Sequence, residues 1–186
     1  MTTAPFALPV LPDDEVLGWP KHHNDAPEIG YVDPADAFTR VWLTDAHFAA
    51  YSVPGVRRRL TLEAVGGLAG GWPMVVLVID VDHPWKKEKP KDNAGREAKR
   101  LRVDAWWAEE LTKIDALLAA HPGAIVHRSR SGGYRLVWRL ASPFVICTTD
   151  DKEAWRVRYR RELLYLARRW GIVGDPACAD ITRLYR

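Results

Sequence analysis

Residues 74–81 (MVVLVIDV) are apolar almost without interruption and rich in β-branched side chains, the pattern of a strand buried on both faces that ends in charge. Residues 124–127 and 134–140 (YRLVWRL) predict two further strands, joined through 129–133 (SRSGG), whose glycines favour a tight turn and hence antiparallel pairing. Between these segments, the polar loop 84–93 (PWKKEKPKDN) leads into a helix over 97–120. Its apolar positions are Leu101, Ala105, Ala108, Leu111 and Leu118, and His121, Pro122 and Gly123 end it. A last helix is announced by Asp150 with Glu153 three residues on, a capping-box pattern. It carries Trp155, Tyr159, Leu163, Leu166 and Trp170 on one side and mostly arginine on the other.

The flanks are less regular. Pro5, Pro9, Pro12, Pro20 and Pro27 make residues 1–35 an irregular segment that drapes over the fold. Residues 38–51 suit either strand or helix, and 57–68 predict a short helix ended by Gly66, Gly67, Gly70 and Gly71. The end of the chain, 175–186 (DPACADITRLYR), predicts a short strand around 181–185. Strands and helices alternate irregularly around a hairpin, so the expected class is α+β: a mixed or antiparallel sheet with flanking helices, not a doubly wound parallel sheet.

Composition narrows this further. With 186 residues, 47% of them hydrophobic, the chain suits one domain, 1–186, with a real core. No apolar run approaches the roughly 20 residues that span a bilayer, and the N-terminus lacks the basic-then-apolar order of a signal peptide, so the expectation is a cytoplasmic protein without a membrane partner. Cys147 and Cys178 lie far apart without metal-like spacing, which argues against a disulfide framework or a zinc site. The net charge of +3 conceals basic clusters at 57–59, 86–102 and 156–169, and local clusters matter more than the total for binding a phosphate backbone.

Three groups carry candidate chemistry. Asp80 and Asp82 end the apolar strand two residues apart, so both carboxylates project from one face. At a rise of about 3.3 Å per residue they start roughly 7 Å apart and can converge on a metal pair about 3.5–4 Å apart. Hard oxygen ligands select Mg²⁺ or Mn²⁺. Taken alone, D-x-D is equally the solvated end of a strand. The second group, Ser129 to Arg135, combines a Ser/Gly turn whose amides can cradle phosphate with an arginine on the next strand; alone it is also an ordinary hairpin turn. The third places Asp175 before Arg183 and Arg186, with Asp180 between, which suits a metal ligand beside a phosphate clamp or a surface ion pair.

The order of the three groups resembles the signature motifs of the archaeo-eukaryotic primase superfamily, including primase-polymerases of phages, plasmids and mobile elements, over roughly residues 75–186. The resemblance implies an RRM-like primase-polymerase catalytic core. Two divalent ions, Mg²⁺ or Mn²⁺, would be held by Asp80, Asp82 and Asp175, with Asp180 the alternative third ligand. Ser131, Gly133, Arg135, Arg183 and Arg186 would bind the nucleotide. The implied activity is template-directed nucleotidyl transfer, DNA primase and DNA polymerase, on a single-stranded DNA template with dNTP or NTP. It also implies continuation into a helicase domain or association with a helicase subunit, making the chain one catalytic domain of a longer replication protein.

One position departs from the pattern: many members carry histidine where Arg135 stands, although Gly-Gly-Tyr-Arg is similar to phage-type sequences. An arginine cannot act as a general base near neutral pH, but its planar fork binds phosphate at two points, so a role in holding triphosphate is expected. Two rivals remain open, a noncatalytic nucleotide- or DNA-binding replication module and a metal-dependent nuclease. For Trp106 and Trp107 packing on the sheet outweighs base stacking, and Trp138 is assigned to the sheet surface. Lysines of 84–99 suit either solvent or nucleic acid, His83 is a possible extra contact beside the acids, and Arg156, Arg160 and Arg169 read as a solvated helix face.

Overall fold

In the computed structural model, which describes residues 16–19, 30–32, 47–49, 71–129, 131–180 and 184–185, the apolar run lies inside a ten-residue strand, β4 (Trp72–Val81). It pairs antiparallel with β6 (Tyr134–Ile146), which pairs antiparallel on its other side with β5 (Ile125–Arg128), in the order β4-β6-β5. Every residue from Met74 to Val81 is at most 6% exposed, so the strand is covered on both faces as its composition requires.

β6 runs six residues beyond the predicted end at Leu140. The register with β4 shifts between Met74 and Val76, and Ala141, Ser142 and Pro143 at the irregularity are exposed. Proline has no amide hydrogen for the ladder, so the strand bulges there and resumes pairing at Phe144.

Four short strands form a second antiparallel sheet in the order β2-β1-β3-β7: β1 (Val16–Trp19), β2 (Gly30–Val32), β3 (His47–Ala49) and β7 (Leu184–Tyr185). Strands β1 and β2 arise within the segment that its prolines mark as irregular, and β7 falls inside the predicted terminal strand. The helix expected over 57–68 lies outside the described residues.

The two described α-helices are α1 (Asn93–Ala120) and α2 (Thr149–Trp170). Helix α1 begins four residues before the predicted start because the Asp92 carboxylate accepts the Gly95 amide at 2.7 Å and so caps it. Its buried face also differs. Leu101 and Leu111 are exposed, whereas Val103, Glu110, Ile114 and Leu117 are buried and Trp106, Trp107 and Leu118 pack against the core. The true stripe keeps helical spacing, but a glutamate interrupts its apolar character, which hid it.

Glu110 is tolerated because Tyr134, fully buried on β6, donates a 2.6 Å hydrogen bond to it and Lys113 pairs with it. Burial, then the contact with Glu110, pushes the Tyr134 phenol far above its ordinary pKa, so it stays a donor. Trp106 and Trp107 pack on the same tyrosine ring at 5.9 and 5.6 Å, as packing residues should. Trp138 is buried on the helix-facing side of the sheet.

Helix α2 starts two residues earlier than Asp150 and Glu153 suggested. Thr148 is its N-cap: its hydroxyl accepts the Asp151 amide at 3.1 Å while Asp151 accepts the Thr148 amide at 2.9 Å. Both registers satisfy the sequence rule, and the end of β6 at Ile146 places Thr148 at the turn. Trp155, Tyr159 and Leu166 are buried and Leu163 and Trp170 partly so, as the periodicity predicts. The helix closes at Gly171, φ +66°, in the left-handed region that glycine adopts without strain. No helix among the described residues is long and apolar enough to cross a membrane.

Tyr134→Phe deletes the buried donor to Glu110 without altering ring packing. It should lower stability by about 1–3 kcal/mol, seen as a lower urea midpoint at unchanged slope; an unaltered midpoint would show that Glu110 is satisfied without the phenol.

Candidate functional site

Three polar side chains occupy one row across the three-stranded sheet. Asp80 of β4 is in register with Arg135 of β6, and Arg135 is in register with His127 of β5. The turn between β5 and β6 sets which partner each backbone bonds. The Ser129 amide donates to the Gly133 carbonyl at 2.8 Å, so the hydrogen-bonded pairs of this hairpin recur two residues on, at His127 and Arg135. Arg135 therefore turns its amide and carbonyl to β5, and Asp80 faces it across β4 as a non-hydrogen-bonded pair, the closer of the two antiparallel spacings. The side chains meet as a buried ion pair, Arg135 Nε to Asp80 Oδ1 at 3.2 Å, each side chain 9% exposed.

This row lies on the face away from the helices. Leu77, Ile79 and Trp138, alternating with Asp80 and Arg135, line the side packed by Leu117 of α1 and Leu166 of α2. Burial, and after it the neighbouring Arg135 guanidinium, holds the His127 imidazole down at about 4. Near neutral pH the imidazole of this row is therefore neutral.

The third motif arrives at the edge of β4 that faces away from β6. After α2, the chain turns at Gly174, where a Cβ would lie 2.5 Å from Ile79 Cγ2 and 2.7 Å from Leu163 Cδ2, so only glycine lets it approach so closely. The Asp175 amide then donates to the Asp80 carbonyl at 2.7 Å, and the Tyr159 phenol donates to the Val78 carbonyl at 3.2 Å. Residues separated by ninety-five positions in the chain are joined through one backbone bond. The Asp175 carboxylate itself caps the 3-10 turn Pro176–Ala179 by accepting the Ala177 amide at 2.9 Å. Asp180 is exposed at the far end of that turn. Arg183 and Arg186 lie outside the described residues.

Asp82, on the same face as Asp80 by alternation, extends beyond the ladder and pairs with Lys86 at 2.6 Å. The Ser-Gly-Gly turn sits directly over this strand end. A Cβ on Gly133 would fall 2.4 Å from the Val81 carbonyl oxygen and 3.3 Å from Asp82 Cα, so the turn can press on β4 only as glycine. Gly132 has φ +92°. Ser131 is exposed, and its carbonyl accepts a 3.0 Å hydrogen bond from Nε2 of His83. A carbonyl cannot donate, so Nε2 carries the proton in the neutral ring, and burial lowers the His83 pKa and favours that neutral form.

The fold thus gathers Asp80, Arg135, Gly133, Asp82 and the backbone of Asp175 around the end of β4. It does not gather three carboxylates: Asp80 faces Arg135, Asp82 faces Lys86 and Asp175 caps its own turn, and among the described residues no three His, Cys, Asp or Glu side chains cluster as a metal site. The donor chemistry of Asp80 and Asp82 fits a hard divalent cation. The Asp175 carboxylate accepts the Ala177 amide through Oδ1 and has its second oxygen as a further ligand atom. His127 was missed from the sequence as a neighbour of Arg135, although the 129–133 turn, taken as a tight antiparallel hairpin, already implies that pairing. No family model, no curated protein and no solved structure matches the chain.

His127 supplies a pH signature. With its folded pKa lowered to about 4 against 6.5, the unfolded chain binds a proton that the folded chain refuses. Its contribution to stability is complete above about pH 6.5 and declines as the pH falls toward 4. The melting-temperature advantage of the wild type over His127→Gln should therefore be constant from pH 7 to 8 and shrink between pH 6.5 and 4.5; a gap independent of pH would contradict a buried neutral imidazole.

Proposed function

We propose that the chain performs template-directed nucleotidyl transfer, acting as a DNA primase and DNA polymerase on a single-stranded template, with the three-stranded sheet and its helices forming part of an RRM-like catalytic core. The observation that supports this reading best is the meeting of three sequence-distant motifs at one strand end: the Arg135–Asp80 ion pair at 3.2 Å and the Asp175 amide bonded to the Asp80 carbonyl at 2.7 Å. Asp80 and Asp82 are the residues that would hold Mg²⁺ or Mn²⁺, with Asp175 as third ligand. Ions held by these residues would supply a lowered pKa for an attacking hydroxyl and charge neutralisation for a leaving pyrophosphate.

The chain's own groups supply orientation and charge. Arg135 is a buried cation on the acid-bearing face, where its guanidinium would hold a triphosphate oxygen while staying fixed by Asp80. Ser131 and Gly133 would present the turn to the phosphates, and Arg183 and Arg186 would complete the clamp. A noncatalytic nucleotide- or DNA-binding module is the second reading, favoured by one feature: each of the three carboxylates already has a separate partner.

Primer synthesis and extension on single-stranded DNA, with dNTP or NTP and with Mg²⁺ or Mn²⁺, separates these readings. Asp82→Ala removes a partly exposed carboxylate with little structural cost and should reduce product by about 10²-fold or more. Asp80→Ala combined with Asp82→Ala should abolish it. Full activity in the double variant would sink the site assignment, binding of dNTP and DNA without product would select the noncatalytic module, and nucleotide release from labelled DNA without dNTP would indicate a nuclease.

A further inference from the structure

A second polar surface lies on the other side of the same strand end. An open groove runs between the first turns of α1, the end of β5 and the Ser-Gly-Gly turn, lined by Arg96, Lys99, Arg100, Arg128, His83 and Ser131. Asp80, Asp82, Arg135 and Asp175 are not among its lining residues. His83 turns toward α1, with its ring 6.2 Å from Trp106, whereas the Asp80–Arg135 row occupies the face away from the helices. The groove therefore shares Ser131 of the turn with the proposed phosphate-binding groups but includes neither the carboxylates nor Arg135.

The groove has an excess of positive charge held in place by packing. Arg96, Lys99 and Arg100 follow one another at helical spacing, so they share a face, and their positions extend about 6 Å along the axis at 1.5 Å per residue. Arg100 pairs with Glu97 and Arg128 with Asp104, so four cations meet two carboxylates. Lys99 is fixed by donating to the Glu88 carbonyl, a neutral acceptor that leaves its charge uncompensated, and among the described residues no ion pair is formed by Arg96. Arg128 also lies 4.9 Å over the Trp107 ring, which fixes the direction of its guanidinium. An enclosed apolar slot, such as a free nucleotide base would occupy, is missing from this lining, whereas a line of cations in an open groove complements a repeating phosphate backbone.

We propose that this groove binds the phosphodiester backbone of a single nucleic-acid strand, without a divalent metal and independently of the carboxylate site. It stands apart from the nucleotidyl-transfer reading, since a strand would bind here whether or not the opposite face turns over. The lysine-rich loop 84–93 borders the groove through Pro90 and would extend the path along the same edge.

Fluorescence anisotropy of a labelled oligothymidylate with the full chain, in EDTA and across 50–200 mM salt, tests this. Arg96 and Arg100 are exposed, so Arg96→Ala with Arg100→Ala should leave the fold intact, as far-UV circular dichroism would verify. This variant should weaken binding about tenfold and reduce the logarithmic salt slope by about 1 to 1.5, at about 0.7 per phosphate contact on a single strand. A matched loss of two charges from α2, Arg156→Ala with Arg160→Ala, should change affinity less than about twofold. Equal losses in both arginine variants, undiminished binding in the α1 variant, or displacement of the strand by an equimolar amount of dNTP or tripolyphosphate would each overturn the proposal. Because binding is read without metal and without turnover, an inactive carboxylate site and an unoccupied groove give different results.

Discussion

Strand β4 is buried on both faces yet, among the described residues, has a ladder partner on one side only, and this constraint organises everything around it. The carbonyls of Val78 and Asp80 point away from β6, where each would be left without a hydrogen bond inside the core, at a cost of about 1–3 kcal/mol. The Tyr159 phenol and the Asp175 amide fill these positions. Satisfying the strand edge thus brings α2 and the segment after it to the acids, and Gly174 provides the clearance.

On the other side of β4, pairing with β6 puts a cation against the first acid. A buried carboxylate and a buried guanidinium are each unfavourable alone, and removing one partner of such a pair typically costs about 3–5 kcal/mol. The pair therefore adds to the apolar contacts that fix the register of β4 against β6, because a slip of one residue would send Asp80 and Arg135 to opposite faces. Burial, and after it the same cation, depresses the His127 pKa. On the opposite face, the groove along α1 keeps surplus positive charge.

Much of this was legible in the chain. The apolar run at 74–81, the hairpin through 129–133, two helices and the apolar stripe of α2 follow from period, turn chemistry and breakers, because those are local properties. The stripe of α1 was not legible, since Glu110 sits inside it and becomes acceptable only when Tyr134, from a strand further along the chain, donates to it. Equally hidden was the choice between two adjacent capping registers at α2, which depended on where β6 ends.

By itself, the sequence determined that Asp80 and Asp82 share a face at the end of a buried strand, that a glycine turn precedes Arg135, and that an acid follows the last helix. Only the tertiary structure decided that Arg135 lies against Asp80, that His127 completes the row, and that Asp175 reaches this strand end with its backbone while its carboxylate caps the turn beyond. The reason is physical. Alternation and turn preference act over a few residues, whereas the partner of a charge or an edge carbonyl is set by strand register and by which segment can approach closely enough to satisfy it.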